Sequence, residues 1–215
     1  MTVVSAERGR KRRISLVQIR KARQEDAKAV PELLFESAPD MYERFSGGHE
    51  RALATLRRAF EEPGTLASFD VVWVAELDGR IAAAMAAFPV TEAGDRSSAY
   101  LRLALRGTPF WRWPATLRLY SAGGRATPKP RENSLYIDSL ATDPALRRRG
   151  AARALLDEAE RQARARSLPA VTLDTTINND GARALYAGAG FDEVAYRAPT
   201  GRLPGFVALV KSVGQ

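Results

Sequence analysis

A chain of 215 residues, 45% of them hydrophobic and 27% charged, is long enough for one well-buried domain with a sizeable insertion and too short for two full domains. The lack of cysteine excludes disulfides, thiolate metal sites and a cysteine nucleophile, and no apolar run approaches the ~20 residues of a membrane span. A formal net charge of +8 favours anionic partners, yet no nucleic-acid-binding motif accompanies it, so attraction of a phosphorylated small molecule is the expected use.

Residues 1–16 carry Arg8, Arg10, Lys11, Arg12 and Arg13 against Glu7 and read as a basic N-terminal tail. No apolar segment follows them to make a secretory signal. A cytoplasmic protein with no membrane partner is expected, with residues 17–215 as a single domain.

Alternation over Val17 to Ala22 predicts a strand. Ala27, Val30, Leu33 and Leu34 then predict a helix over Asp26 to Ser37, with a local irregularity at Pro31. Pro39 to Gly48, containing Met41, Tyr42 and Phe45, reads as a loop that, with the second helix and the insertion after it, is expected to form the pocket for an acceptor. A second helix, His49 to Glu61, turns Leu53, Leu56 and Phe60 inward, and His49 at its start reads as a solvated cap rather than a base. Val71 to Glu76 and Ile81 to Phe88 bracket Asp78-Gly79, the signal of a tight hairpin. The alanines from Ala82 to Ala87 would let a neighbour pack close to that second strand.

Residues 89–133 have a different composition and read as an insertion. Phe110, Trp113, Leu117 and Tyr120 fall at helical spacing, predicting a helix that ends near Tyr120, with another over Ser97 to Arg106. The aromatic side chains either pack the insertion onto the core or wall an acceptor pocket, and if exposed they suit a homodimer.

Ser134 to Ala141 is mostly apolar and reads as a buried strand. It runs through Arg147-Arg148-Arg149-Gly150-Ala151-Ala152 into an amphipathic helix, Ala151 to Arg166. A strand that passes through a small-residue turn into a helix presents unpaired N–H groups at the positive end of the helix dipole, and three arginines crowd the same place, which makes an anion seat. The strand Ala170 to Thr175 completes a β-α-β unit with parallel strands. Asn178-Asn179-Asp180 caps a short helix, Gly181 to Ala187, and two strands, Phe191 to Arg197 and Phe206 to Lys211, close the chain.

The run from Arg147 to Ala152 fits the pattern [Q/R]-x-x-G-x-[G/A], and Asn179, Leu185-Tyr186 and Gly190-Phe191 fit N-x5-L-Y-x3-G-F. In this order and on these elements, the chain from Val17 to Lys211, the Pro89 to Asn133 interval apart, resembles the GNAT superfamily of acyl-CoA-dependent N-acyltransferases. It departs from the commonest pattern at Thr142, where valine is usual, at Arg148, a frequent glycine, and at Ala152, the second motif glycine.

The resemblance implies an α+β fold: a mixed, mostly antiparallel twisted sheet flanked by helices, with a helical insertion between the third and fourth strands. It implies acetyl-CoA as cosubstrate, with no metal. The N–H groups of Arg149, Gly150, Ala151 and Ala152 would hold the pyrophosphate, and Gly150 lacks the Cβ that would hold a phosphate off. Arg147 or Arg148 would reach the terminal phosphates. The strands from Leu135 and Ala170 would splay, leaving an edge at Leu140, Ala141 and Thr142 for the pantetheine, with the Leu140 N–H polarising the thioester carbonyl.

Tyr186, with an ordinary value near ~10, is a feasible proton donor to a leaving thiolate. Asn179 caps its helix or touches the pantetheine. Asp138 is the first candidate for the base, with Asp174 and Glu76 behind it. The expected reaction is acyl transfer to a primary amine of a small molecule or peptide. The alternatives are a non-catalytic acyl-CoA sensor and, driven by charge alone, a nucleic-acid-binding protein.

Overall fold

The structure is a computed structural model that describes residues 16–201 and 203–214. The basic tail, Leu16 apart, lies outside the described residues. The chain opens with strand β1 (Gln18–Lys21) and a 3-10 turn (Gln24–Lys28), and helix α1 (Val30–Glu36) follows. Pro31 is the second residue of α1, where its missing N–H has no intrahelical partner to lose. The helix expected from Asp26 therefore splits at the proline. Arg20 holds the turn: it donates to both oxygens of buried Asp26 (2.7 and 2.9 Å) and to Glu76 (2.6 Å).

A helix, α2 (Pro39–Ser46), stands where a loop was expected. Pro39 opens it and Gly47, at φ 77°, closes it in the left-handed conformation that favours glycine. Met41, Tyr42 and Phe45 sit at helical spacing, but two turn-forming ends eight residues apart conceal so short a helix. Helix α3 (His49–Glu61) buries Leu53, Leu56 and Phe60 as expected.

Strands β2 (Val72–Leu77) and β3 (Arg80–Pro89) form the predicted hairpin, with Asp78 and Gly79 both at positive φ (51° and 75°), as a type I′ turn requires. Ala82 through Ala86 are fully buried because both faces of β3 are covered. The insertion is an α-hairpin, α4 (Ala93–Arg106) and α5 (Trp113–Ala126). Helix α5 continues past Tyr120 through two glycines. At Gly123 a Cβ would lie 2.8 Å from Cζ of Phe45, so the glycine lets α5 close on α2, and packing overrides its poor helix propensity.

The second half comprises β4 (Ser134–Thr142), α6 (Ala151–Ala165), β5 (Ala170–Thr176), α7 (Asp180–Gly188), β6 (Asp192–Arg197) and β7 (Phe206–Ser212). The sheet order is β1-β2-β3-β4-β5-β7-β6, and only β4 and β5 run parallel. One face carries α6, whose Leu155, Leu156, Ala159 and Ala163 pack on Leu135, Ile137, Val171 and Leu173. The other carries α1, α3 and α4, through Leu34, Leu56, Phe60 and Leu103. Each fully buried leucine contributes about 1.5–3 kcal/mol by leaving water. Two covered faces hold the middle of the sheet rigid, and the site opens where that middle parts.

Candidate active site

The pairing of β4 with β5 stops at Ile137↔Leu173, although both strands continue, β4 along β3 and β5 along β7. The sheet thus splits into a V, and the inner edge of β4 beyond Ile137 loses its strand partner. A second irregularity lies at the fork. Ser139 pairs with Ala86 and Ile137 with Ala87, which leaves Asp138 as the extra residue of a β-bulge. The bulge turns Asp138 and Ser139 toward the same face, and the Ser139 hydroxyl donates to Asp138 Oδ2 (3.1 Å).

On one side of the fork is a cleft of about 720 Å³, lined by Leu140 to Thr142, the turn before α6, and Asn179 and Tyr186 of α7. Gly150 is the N-cap of α6 at φ 86°, and no side chain caps the helix there. The first N–H groups of α6 therefore face the cleft unpaired by the helix itself. A Cβ on Gly150 would meet nothing within 4 Å. That open space, beside Arg147 and Arg148, fits a diphosphate. Arg148 adopts φ 62°, a left-handed conformation that explains why glycine is natural at its position.

On the other side lies a second cleft, also about 720 Å³, lined by Glu36, Asp40, Tyr42, Arg44, Asp138 and Asp174 among others. Burial, together with the nearby charge of Asp174, pushes the Asp138 carboxyl up to about 7, against the opposing hydrogen bond from Ser139. Burial likewise raises Asp174, although the Tyr136 hydroxyl donates to its Oδ1 (2.7 Å). The Tyr42 hydroxyl lies 3.2 Å from Ser139 Oγ, and because Ser139 gives its proton to Asp138, Tyr42 is the donor of that bond. The two clefts share Glu36, Ser37, Leu140, Asn179, Ala182 and Tyr186, so they meet at the fork. Burial and then the Asp174 charge push the Tyr186 hydroxyl well above its ordinary value, so it holds its proton at neutral pH.

Of the residues singled out from sequence, Leu140, Ala141, Thr142, Arg147, Arg148, Gly150, Ala151, Ala152, Asn179 and Tyr186 line the first cleft. Arg149 is not among the lining residues, and its side chain pairs with Asp78 at the β2–β3 turn (3.2 Å). Asp138 lines only the second cleft, with Asp174, whereas Glu76 is engaged by Arg20. Asn179 caps α7, its Oδ1 accepting from the Ala182 N–H (3.2 Å). Phe110, Trp111 and Trp113 neither join the core nor line either cleft. His49 is exposed beside Glu43.

Sequence reasoning missed Glu36, Ser37 and Arg153, whereas Tyr42 lies in the stretch Pro39 to Gly48 that was expected to help form the acceptor pocket. Arg153 lines the first cleft and ties α6 to the end of α7 by donating to the Gly188 carbonyl (2.6 Å). Its place one turn beyond the arginine triplet was a usable signal. Glu36 and Ser37 arrive from a distant part of the chain and carry none. Among the described residues no group of three or more His, Cys, Asp or Glu is arranged to hold a metal ion.

No curated protein matches this chain. Among solved structures it resembles a crystal structure described as an acetyltransferase, at 22% identity and TM-score 0.64, over 92% of this chain and 100% of the other. It also resembles an N-acetyltransferase from Staphylococcus aureus Mu50, at 20% identity and TM-score 0.69, over 90% and 100%. A mutant agmatine N-acetyltransferase in its apo form matches at 17% identity and TM-score 0.56, over 91% and 99%. At such identities these likenesses establish the fold alone. The sequence model of the acetyltransferase (GNAT) family matches residues 31–191, three-quarters of the chain and all of the fork. The chain belongs to the GNAT family of acetyltransferases, enzymes that transfer an acyl group from an acyl-CoA.

Proposed function

We propose that this protein transfers an acetyl, or another short acyl, group from acyl-CoA to a primary amine by direct attack. The observation that carries this is the meeting of two unlike clefts at Leu140 and Tyr186, one with a helix N-terminus and arginines for an anion, the other lined by Asp40, Asp138 and Asp174, with Glu36 at the border of both. In a chain of net charge +8 an acidic pocket is conspicuous, and it suits a cationic amine.

Bound acyl-CoA supplies an activated thioester carbonyl, held by the N–H groups at the start of α6, by Arg147 and Arg148, and by the free edge of β4. The chain's own residues supply the rest. Asp138, with a proton affinity near neutrality, takes the proton that the ammonium must lose, directly or through one water. Asp174 lies beside it in the same cleft, a second carboxyl group facing the amine. The Leu140 N–H polarises the carbonyl oxygen. As the C–N bond forms and the C–S bond breaks, Tyr186 gives its proton to the departing thiolate, and the second proton shed by the nitrogen returns to the Tyr186 oxygen.

The test is a panel of primary amines with the full chain and acetyl-CoA, read as release of free thiol. Turnover is expected with cationic amines, and Tyr186→Phe should lower kcat about a hundredfold while leaving acetyl-CoA affinity within a few-fold. Binding of acetyl-CoA with no turnover on any amine, and no effect of Tyr186→Phe, would mark a sensor. Absence of any acetyl-CoA binding at millimolar concentration sinks both.

A further inference from the structure

Residues 96–131 contain eight basic side chains, Arg96, Arg102, Arg106, Arg112, Arg118, Arg125, Lys129 and Arg131, and no Asp or Glu. The whole chain holds 33 basic and 25 acidic residues, so this one segment accounts for the entire formal excess of +8. Arg96 is turned inward onto Asp70 and Glu92. The other seven are exposed.

The same segment carries an apolar patch. Phe110, Trp111, Trp113 and Leu117 are 72, 69, 41 and 44% exposed, and they are four of the seven large hydrophobic side chains exposed among the described residues. All four fall within eight residues, at the tip of the α4–α5 hairpin. The rings of Phe110 and Trp111 meet edge to face, 5.2 Å between centroids. The Trp113 indole N–H donates to the carbonyls of Leu105 and Thr108 (3.0 Å each), which fixes the tip to the end of α4. Arg106, Arg112 and Arg118 are interleaved with these side chains in sequence.

We propose that this tip docks on an anionic phospholipid surface, with Phe110 and Trp111 entering at headgroup depth and Arg106 and Arg118 against the lipid phosphates; the Arg112 guanidinium rests on Gly47 at the end of α2. Aromatic side chains favour the membrane–water interface, and interspersed basic groups are drawn to anionic headgroups. A second copy of this chain is a poor occupant, because a symmetric contact through the tip sets its arginines against their counterparts. No described helix is long and apolar enough to span a membrane, so the protein lies on the surface. Helix α5 closes on α2, which walls the acidic cleft, so a docked tip also orients that cleft relative to the membrane.

The full chain is incubated with vesicles of phosphatidylcholine alone or with one-third phosphatidylglycerol, at low and at half-molar salt. Co-sedimentation and tryptophan emission are recorded. Binding only to the anionic vesicles, weakened by salt and accompanied by a blue shift, is expected. Phe110→Ser with Trp111→Ser should remove the shift and weaken binding at least tenfold. Arg106→Gln with Arg118→Gln should weaken it by roughly fivefold per arginine. All these side chains are exposed, so both variants should melt as the parent does.

No binding to anionic vesicles at low salt overturns the proposal. So does binding that both variants leave unchanged, since the basic residues 8–13 would then suffice. Capture of a single-stranded oligonucleotide in preference to the vesicles, lost in both variants, assigns the patch to nucleic acid instead. A concentration-dependent dimer lost on Phe110→Ser with Trp111→Ser, without vesicle binding, assigns it to self-association.

Discussion

Asp138 owes its chemistry to one unpaired position in a strand. The bulge removes it from the β3–β4 ladder and aims it at the acidic cleft, where burial and Asp174 raise its carboxyl to about 7 from an ordinary 3.8. The native state therefore keeps a proton between pH 4 and 7 that the unfolded chain has released. From this group stability falls as pH rises through that window, and the penalty is complete above pH 7. Asp138→Asn should raise the Tm at pH 8, by about 2–4 °C for each ~1 kcal/mol regained, and flatten the Tm–pH curve. It should also lower kcat about a hundredfold and remove the rise of rate through pH 7. A lower Tm in that variant would make the carboxylate structural, through Ser139. Arg148, at φ 62°, gives a second test. Arg148→Gly relieves a left-handed residue, which costs about 1–2 kcal/mol, and offsets part of that gain through unfolded-state entropy. Its melt should match or exceed the parent's while the Kd for CoA rises several-fold, measured by calorimetry. The arginine itself was plain in the sequence, but its backbone conformation was not.

At the scale of elements, the closing strands depend on Gly205, between the loop and β7. A Cβ there would stand 2.9 Å from the Arg197 carbonyl oxygen and 2.9 Å from Ile177 Cδ1, and a backbone carbonyl cannot swing aside. Gly205→Ala should cost about 1–3 kcal/mol in a thermal melt. Its neighbours Leu203, Pro204 and Phe206 line the acidic cleft, so KM for the amine should rise as well. Elements with a strong local signal were legible: the Asp78-Gly79 hairpin, the amphipathic α6, and α7 with its Asn179 cap. Helix α2 was not, because eight residues between Pro39 and Gly47 read locally as turn chemistry and become helical by packing against α3 and α5. The end of α5 was misplaced for a related reason. Two glycines argue for a stop until Phe45 is seen to need the space at Gly123.

Over the whole molecule, charge is segregated. Residues 96–131 hold eight basic and no acidic side chains and the donor turn three arginines, while four carboxylates gather in the acceptor cleft. Salt screens exposed charges over about 8–10 Å at moderate ionic strength. KM for a cationic amine should accordingly rise several-fold between low and half-molar salt with little change in kcat, and steady-state kinetics at fixed pH will show it. A KM that ignores salt would argue against an electrostatic role for the acidic cleft.

What the sequence alone determined is the donor half: strand, glycine turn, arginines, helix and the Asn179–Tyr186 segment lie in contiguous stretches, and the rules for caps, periodicity and helix N-termini are local. The acceptor half was decided by tertiary structure. Glu36 and Tyr42, Asp138 and Asp174, and the Leu203–Phe206 stretch meet only when the sheet folds. The bulge that aims Asp138 is a mismatch between two strands, a property that neither strand possesses by itself.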